Sequence, residues 1–287
     1  MLEPSSETWT ASDGYPIHVT TWHPEGSVRG ACVVLHGVQS HGGWYHRMGR
    51  NLASRGYVAY FPDRRGSGAN RQDRGHTPSS RRLVDDVGEF TAFVRGKSDV
   101  PLALAGISWG GKLAVVAAGL WPDRIDALAL ICPGLRPRVG VSFVEKLRIA
   151  VAFATNRRKT FPIPLADPAL FTAEPAGQAF IAADSLSLRV ATAGLLAAST
   201  FLDLKVRKIP AKVTQPILLM LGGQDRIVDN IQTRAYFDQL ASADRKVIEY
   251  PEAHHTLEFE PDPDRYMTDL IDWLDSVLEV RPRPLSR

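Results

Sequence analysis

The stretch that decides the fold is PLALAGISWGGKLA, residues 101–114. Its first half is an apolar run of strand type, and its second half opens a segment of small residues with helical spacing. Between them stands G-x-S-x-G, as Gly106-Ile107-Ser108-Trp109-Gly110. A serine hydroxyl is a poor nucleophile unless a sharp turn exposes it next to a base. Glycine at 106 and 110 permits such a turn, because side chains there collide with the neighbouring strand and helix. The order strand, turn, helix separates a nucleophile elbow from a Gly-rich structural turn.

Outward from this stretch the chain repeats the same kind of run: ACVVLHG (31–37), YVAYFPD (57–63), ALALICPG (127–134), PILLMLGG (216–223) and KVIEYPEA (246–253). Short, nearly continuous apolar runs are strands buried on both faces. Segments with helical spacing lie between and after them, over 44–54, 82–95, 110–120, 231–240 and 264–278. Near the N-terminus, TWTASDGYPIHVTTW (8–22) places Asp13-Gly14 between two alternating runs, a hairpin signal. The fold class is therefore α/β: a mostly parallel, doubly wound sheet with an N-terminal antiparallel hairpin. Sheets of this kind carry their sites at the carboxyl ends of the strands. One interval, 136–212, breaks the rhythm and shows no buried strand. It holds apolar helical stretches at 143–154 and 178–202, joined by the Pro-rich FPIPLADP (161–168). Loops of that length inside a domain are uncommon, so we expect an inserted helical cap over 136–212 and a core made of 1–135 and 213–287. The tail RPRPLSR (281–287) is expected to fray.

Composition removes several classes. The 287 residues are 44% hydrophobic, enough for one large core with an insertion. Lys+Arg 34 against Asp+Glu 31 leaves +3, too little for a nucleic-acid-binding field. The longest charge-free apolar segment, 190–202, falls short of the roughly 18 residues needed to cross a bilayer. MLEPSSETWT lacks the basic start and apolar stretch of a secretory signal, and Cys32 and Cys132 lie in strand-like runs as buried thiols. A cytoplasmic location follows as the expectation. His41, His46 and His76 lack metal-ligand spacing, so no metal is assigned, and no cofactor is expected.

A nucleophilic serine needs a base, and the base an orienting carboxylate, in the chain order serine, acid, histidine. LLMLGGQDRIVD (218–229) ends a strand with Asp225, and EYPEAHHTLEFE (249–260) follows the next strand with His254 and His255. Asp229 competes for the acid. Asp225 is preferred because it stands just past the strand end, whereas Asp229 begins the next helix as a cap. The residues alone leave His254 and His255 open. For the oxyanion, the backbone N–H of Trp109 follows the nucleophile, and the His36-Gly37 turn after an apolar strand offers that of Val38. The loop Asp63-Arg64-Arg65-Gly66-Ser67-Gly68 lacks the spacing of a nucleotide fingerprint. It reads as a structural turn in which Asp63 fixes backbone and arginines. An anion site made by Arg64, Arg65, Arg71, Arg74 and His76 is the disfavoured alternative. In the insertion, SFVEKLRIAVAFATNRRK (142–159) is amphipathic with a basic end. It is expected to pack its apolar side over the cleft, with an interfacial lipid contact as the second reading.

Together LHGVQSHGGWY, PDRRGSGAN, AGISWGG, LGGQDRIV and HHTLEFE resemble the α/β-hydrolase superfamily. Within it the likeness is to monoacylglycerol lipase and lysophospholipase-like serine hydrolases, which share motifs with a group of serine aminopeptidases. It spans about 30–135 and 216–278. In those families the catalytic histidine is followed by a short residue, Leu, two variable positions and often Glu, and this pattern selects His255. Two departures stand out: Glu252 replaces a glycine three residues before the histidine, and Gln39-Ser40-His41 replaces the usual Gly-Glu-His.

The resulting expectation is an esterase or monoacylglycerol-lipase-like enzyme with Ser108, Asp225 and His255 as its triad, acting on a small-molecule ester with an apolar acyl group. Nucleic-acid partners are not expected, lipid contact through the cap is at most peripheral, and a homodimer is left open. The alternatives are an aminopeptidase or amidase with Asp167, Glu174 or Asp184 binding the substrate amine, a C–C bond hydrolase, and a non-catalytic binder.

Overall fold

A computed structural model describes residues 2–278; the tail 281–287 lies outside the described residues. The strands are β1 (Ser5–Thr10), β2 (Pro16–Trp22), β3 (Gly30–Leu35), β4 (Tyr57–Pro62), β5 (Leu102–Ile107), β6 (Ala127–Ile131), β7 (Thr160–Pro162), β8 (Val190–Thr192), β9 (Ile217–Gly222) and β10 (Arg245–Tyr250). The α-helices are α1 (His46–Ser54), α2 (Ser80–Lys97), α3 (Gly110–Leu120), α4 (Phe143–Thr155), α5 (Pro175–Ala183), α6 (Ala193–Lys208), α7 (Asn230–Phe237) and α8 (Pro263–Leu278).

Eight strands form one sheet in the order β1-β2-β4-β3-β5-β6-β9-β10. The β1–β2 and β2–β4 pairs are antiparallel, and every pair from β4 through β3, β5, β6 and β9 to β10 is parallel. Strands β3, β4, β5, β6 and β9 are buried along their whole length, as continuous Val, Leu and Ala runs require. Helix α1 packs on β4, α3 on β5 and β6, and α8 on β6. The carboxyl ends of β3, β5, β9 and β10 therefore share one edge of the sheet, and the loops that follow them converge there.

Four expectations need correction. Strand β10 is mostly exposed, because it is the last strand of the sheet and, among the described residues, only β9 pairs with it. The stretch 178–202 is two helices, not one. Asp184 ends α5 in an extended conformation, and Thr192 begins a new helix by accepting the N–H of Leu195. Between them β8 pairs antiparallel with β7, a two-stranded sheet too short to show a period in the sequence. Finally, α4 buries only part of its apolar side, with Ile149 and Phe153 partly covered beside Ala152. Phe143, Val144, Leu147 and Val151 are exposed, and only Ala152 is buried, against Phe161 and Ala193. Between β6 and β9, α6 packs on α2 and α3 while α4 rides on α6.

Candidate active site

Ser108 sits between β5 and α3 with φ +50°, a left-handed conformation that only a well-fixed turn sustains in a non-glycine residue. Three hydrogen bonds fix it. The N–H of Ser108 donates to the Ile131 carbonyl at 3.0 Å, and its own carbonyl accepts from Gly111 at 2.9 Å and Gly134 at 2.6 Å. The glycines of the motif are there for space. A Cβ on Gly106 would lie 2.6 Å from Ala114 Cβ, and one on Gly110 would lie 2.2 Å from the Leu35 carbonyl oxygen. Without side chains at these positions, α3 sits close enough to β3 and β5 to aim its amino end at Ser108.

The structure brings Ser108, His255 and Asp225 into one chain of contacts. His255 Nε2 lies 2.8 Å from Ser108 Oγ, and its Nδ1 lies 2.7 Å from Asp225 Oδ2. The other oxygen of Asp225 accepts the N–H groups of Ile227 at 2.8 Å and Val228 at 3.0 Å, which hold the carboxylate in the loop after β9. His255 and Asp225 are both buried. The two competing residues are elsewhere: Asp229 caps α7 by accepting from the Gln232 N–H, and His254 Nδ1 faces Glu260 at 3.5 Å. Glu252 needs no glycine, since no left-handed φ occurs there. Ring contact with Phe171, 6.1 Å between centroids, bounds the imidazole from the inserted segment.

Val38 and Trp109 flank this arrangement. A Cβ on Gly37 would lie 3.3 Å from Ser108 Cβ, so the loop carrying Val38 runs directly against the serine. Ser40 holds that loop: its Oγ accepts the Gly37 N–H at 2.9 Å and lies 3.0 Å from Tyr45 OH. Val38, Trp44, Leu165 and Phe171 line the pocket that opens onto Ser108 and His255. Trp44 Nε1 donates to Asp184 Oδ2 at 2.7 Å, and that oxygen also meets His41 Nε2 at 3.1 Å and the Ser187 hydroxyl at 2.8 Å. Asp184 thereby ties the turn after α5 to the pocket wall. Asp167 caps the turn at Ala169 instead.

The Arg-rich loop is a structural turn, with one correction. The Asp63 carboxylate accepts the N–H groups of Gly42 and Ala69, both at 2.8 Å, so its hydrogen bonds go to backbone, and it acts on Arg64 through charge alone. Arg65 pairs with Asp86 and Asp13, while Arg74 binds the carbonyls of Gly68, Leu186 and Ser187. His76 Nδ1 meets Thr192 Oγ1 at 3.0 Å. Arg64 bonds the carbonyls of Gly37 and Val38, a role that sequence reading missed. Its position beside Asp63, in a loop following β4, gave no signal for it.

The strand order, the turn at Ser108 and the site at the carboxyl edge of the sheet define an α/β-hydrolase. A family model described as Serine aminopeptidase, S33, matches residues 26–262, and the chain belongs to that family. The monoacylglycerol lipase of Mycolicibacterium smegmatis is 26% identical over 277 residues, covering 96% of this chain and 98% of its own. Human monoglyceride lipase is 24% identical over 256 residues, 87% of this chain and 82% of its own. Among solved structures, a soluble variant of monoglyceride lipase from Saccharomyces cerevisiae, in complex with a substrate analog, superposes with a TM-score of 0.84. That match has 21% identity and covers 96% of both chains.

Proposed function

We propose that this protein is a carboxylic ester hydrolase that cleaves esters of apolar acyl groups through a Ser108-His255-Asp225 triad. The observation that carries this reading is the continuous contact from Ser108 Oγ through the imidazole to Asp225, at 2.8 and 2.7 Å. Asp225 accepts a hydrogen bond from Nδ1–H and stays ionised, which leaves Nε2 free to take the Ser108 proton as Oγ attacks the acyl carbon. The tetrahedral oxyanion forms between the N–H groups of Val38 and Trp109, each worth about 3 kcal/mol by analogy with measured donor losses. Collapse breaks the acyl–oxygen bond, and His255 returns its proton to the departing alkoxide. Water, activated by the same imidazole, then releases the carboxylic acid from the acyl-serine and restores Ser108. No cofactor enters these steps.

The monoacylglycerol and monoglyceride lipases among its relatives support an ester as the bond cleaved. The family's aminopeptidase description raises the alternative of amide cleavage at an N-terminal residue. That reaction needs a free carboxylate in the pocket to hold the substrate amine: Asp184 is already engaged by Trp44, His41 and Ser187, Asp167 accepts the Ala169 N–H, and Glu174, at the start of α5, does not line the pocket. The inserted segment 136–212 acts as a cap whose Leu165 and Phe171 supply apolar surface for the acyl chain. The exposed apolar residues of α4, beside Lys146, Arg157 and Lys159, form a face suited to peripheral contact with a lipid surface. Hydrolysis of p-nitrophenyl esters from acetate to laurate, set beside an aminoacyl p-nitroanilide, tests the reading. Turnover of the esters, rising with acyl length from acetate, is expected; cleavage of the anilide alone overturns it.

A further inference from the structure

The loop after β4 sets an arginine where a charge is costly. Arg64 is buried, and its neighbours take the carboxylates: Arg65 holds Asp86 and Asp13, and Asp63 is spent on the N–H groups of Gly42 and Ala69. Its guanidinium bonds a pair of carbonyls and rests on an aromatic face, with the charge of the Asp63 carboxylate nearby. Nη1 donates to the Gly37 carbonyl at 3.1 Å, Nη2 donates to the Val38 carbonyl at 3.0 Å, and the guanidinium carbon lies 4.7 Å from the centre of the Trp109 ring. An apolar side chain of similar length would fill the space without the desolvation cost of a buried cation. The Asp63 charge offsets part of that cost, and the two carbonyls use the donors that an apolar side chain lacks.

The carbonyls and the indole belong to the two segments that carry the Val38 and Trp109 N–H groups. The Gly37 carbonyl and the Val38 N–H are the two ends of one peptide unit. That carbonyl has a second donor. The backbone N–H of Arg64 donates to His36 Nε2 at 2.8 Å, which places the imidazole proton on Nδ1, 2.7 Å from the Gly37 oxygen. Burial holds the His36 pKa well below its usual range, in keeping with a neutral ring. Two donors on a carbonyl polarise the peptide and strengthen its N–H as a donor. On the other side, the Trp109 indole is oriented by its own N–H, which donates to Ser199 Oγ at 2.9 Å, and the guanidinium rests on its face. A planar fork suits this double carbonyl contact better than an ammonium point charge. Burial lowers the Arg64 pKa only to about 10, so the group stays charged at neutral pH.

We propose that Arg64 is a positioning residue for ester hydrolysis: by bridging the Gly37 and Val38 carbonyls to the Trp109 indole, it fixes the two oxyanion-binding N–H groups relative to each other and polarises the peptide that supplies one of them. This rests on the reading of Val38 and Trp109 given above.

The test uses Arg64→Met, which keeps length but loses charge and donors, and Arg64→Lys, which keeps charge but loses the fork. Both are compared with wild type for kcat and KM on p-nitrophenyl butyrate, for Ki of a trifluoromethyl ketone that adds to a serine as a tetrahedral oxyanion, and for Tm. In Arg64→Met, kcat is expected to fall about 10²-fold, the loss of one oxyanion donor, with KM within about threefold. Ketone affinity should weaken by the same factor as kcat/KM, and Arg64→Lys should fall between the two. A kcat within about twofold of wild type in Arg64→Met overturns the proposal. So does a fall in kcat that tracks Tm while the ketone Ki is unchanged, which marks a merely structural role. If Arg64→Met does not fold, the same readouts on Arg64→Lys and Arg64→Gln decide by the same criteria. Failure of the underlying reading looks different: Ser108→Ala stays active, or the ketone does not inhibit the wild type.

Discussion

At Ser108 the backbone holds φ +50° in a residue with a Cβ, and three main-chain hydrogen bonds keep it there. The serine was legible because its requirement is local: two glycines, a strand before and a helix after. Choosing between His254 and His255 was not, since adjacent residues differ only in which way the turn aims them, and resemblance had to break the tie. The geometry separates them, with His255 on Ser108 and His254 on Glu260. His255→Ala is accordingly expected to lower kcat by about 10³-fold or more, and His254→Ala by less than about threefold, measured with a short-chain p-nitrophenyl ester. A second residue gave no signal at all. Glu258 reaches across the molecule to cap α1, accepting the N–H groups of Arg47 at 3.0 Å and Met48 at 3.3 Å and the hydroxyl of Tyr266. Burial pushes its pKa up to about 7 from the usual 4.5. Between those values the folded protein binds the proton more tightly than the unfolded chain, so this group makes stability fall as pH rises from 4.5 towards 7. Glu258→Gln should flatten that part of the Tm–pH curve, and parallel curves for the two proteins would contradict the assignment.

Among the elements, the fully buried strands were readable as such because burial on both faces leaves no polar positions to interrupt the run. Strand β10 carries similar residues but lies at the edge, and nothing local marks an edge. The inserted segment was read least well. Its two strands have three residues each, and its apolar helices give no hint of which side faces the core. Helix α4 shows why: Ala152, Ile149 and Phe153 pack inward while the equally apolar Phe143 and Leu147 point outward. Because both are mostly exposed, the double substitution Phe143→Ser/Leu147→Ser should change stability by less than about 0.5 kcal/mol. Turnover of a soluble short-chain ester should be unchanged. Co-sedimentation with anionic phospholipid vesicles should fall, and binding equal to wild type would remove lipid contact from the account of this face.

For the molecule as a whole, one sheet edge gathers residues that are 147 and 30 positions apart in the chain, Ser108 to His255 and His255 to Asp225. Parallel strands make this convergence possible, since each crossover returns the chain to the same edge with a fresh loop. Chain order and strand ends were enough to nominate those loops from sequence, whereas Arg64 and the Asp184 tie depend on distances that no pattern encodes. The central claim is that Ser108 is the nucleophile. Its most direct test is a fluorophosphonate probe on the wild type and on Ser108→Ala, with the modified residue located by mass spectrometry. One adduct is expected, on Ser108, formed in step with loss of esterase activity and absent from Ser108→Ala. An adduct on another residue, or full esterase activity in Ser108→Ala, would contradict it.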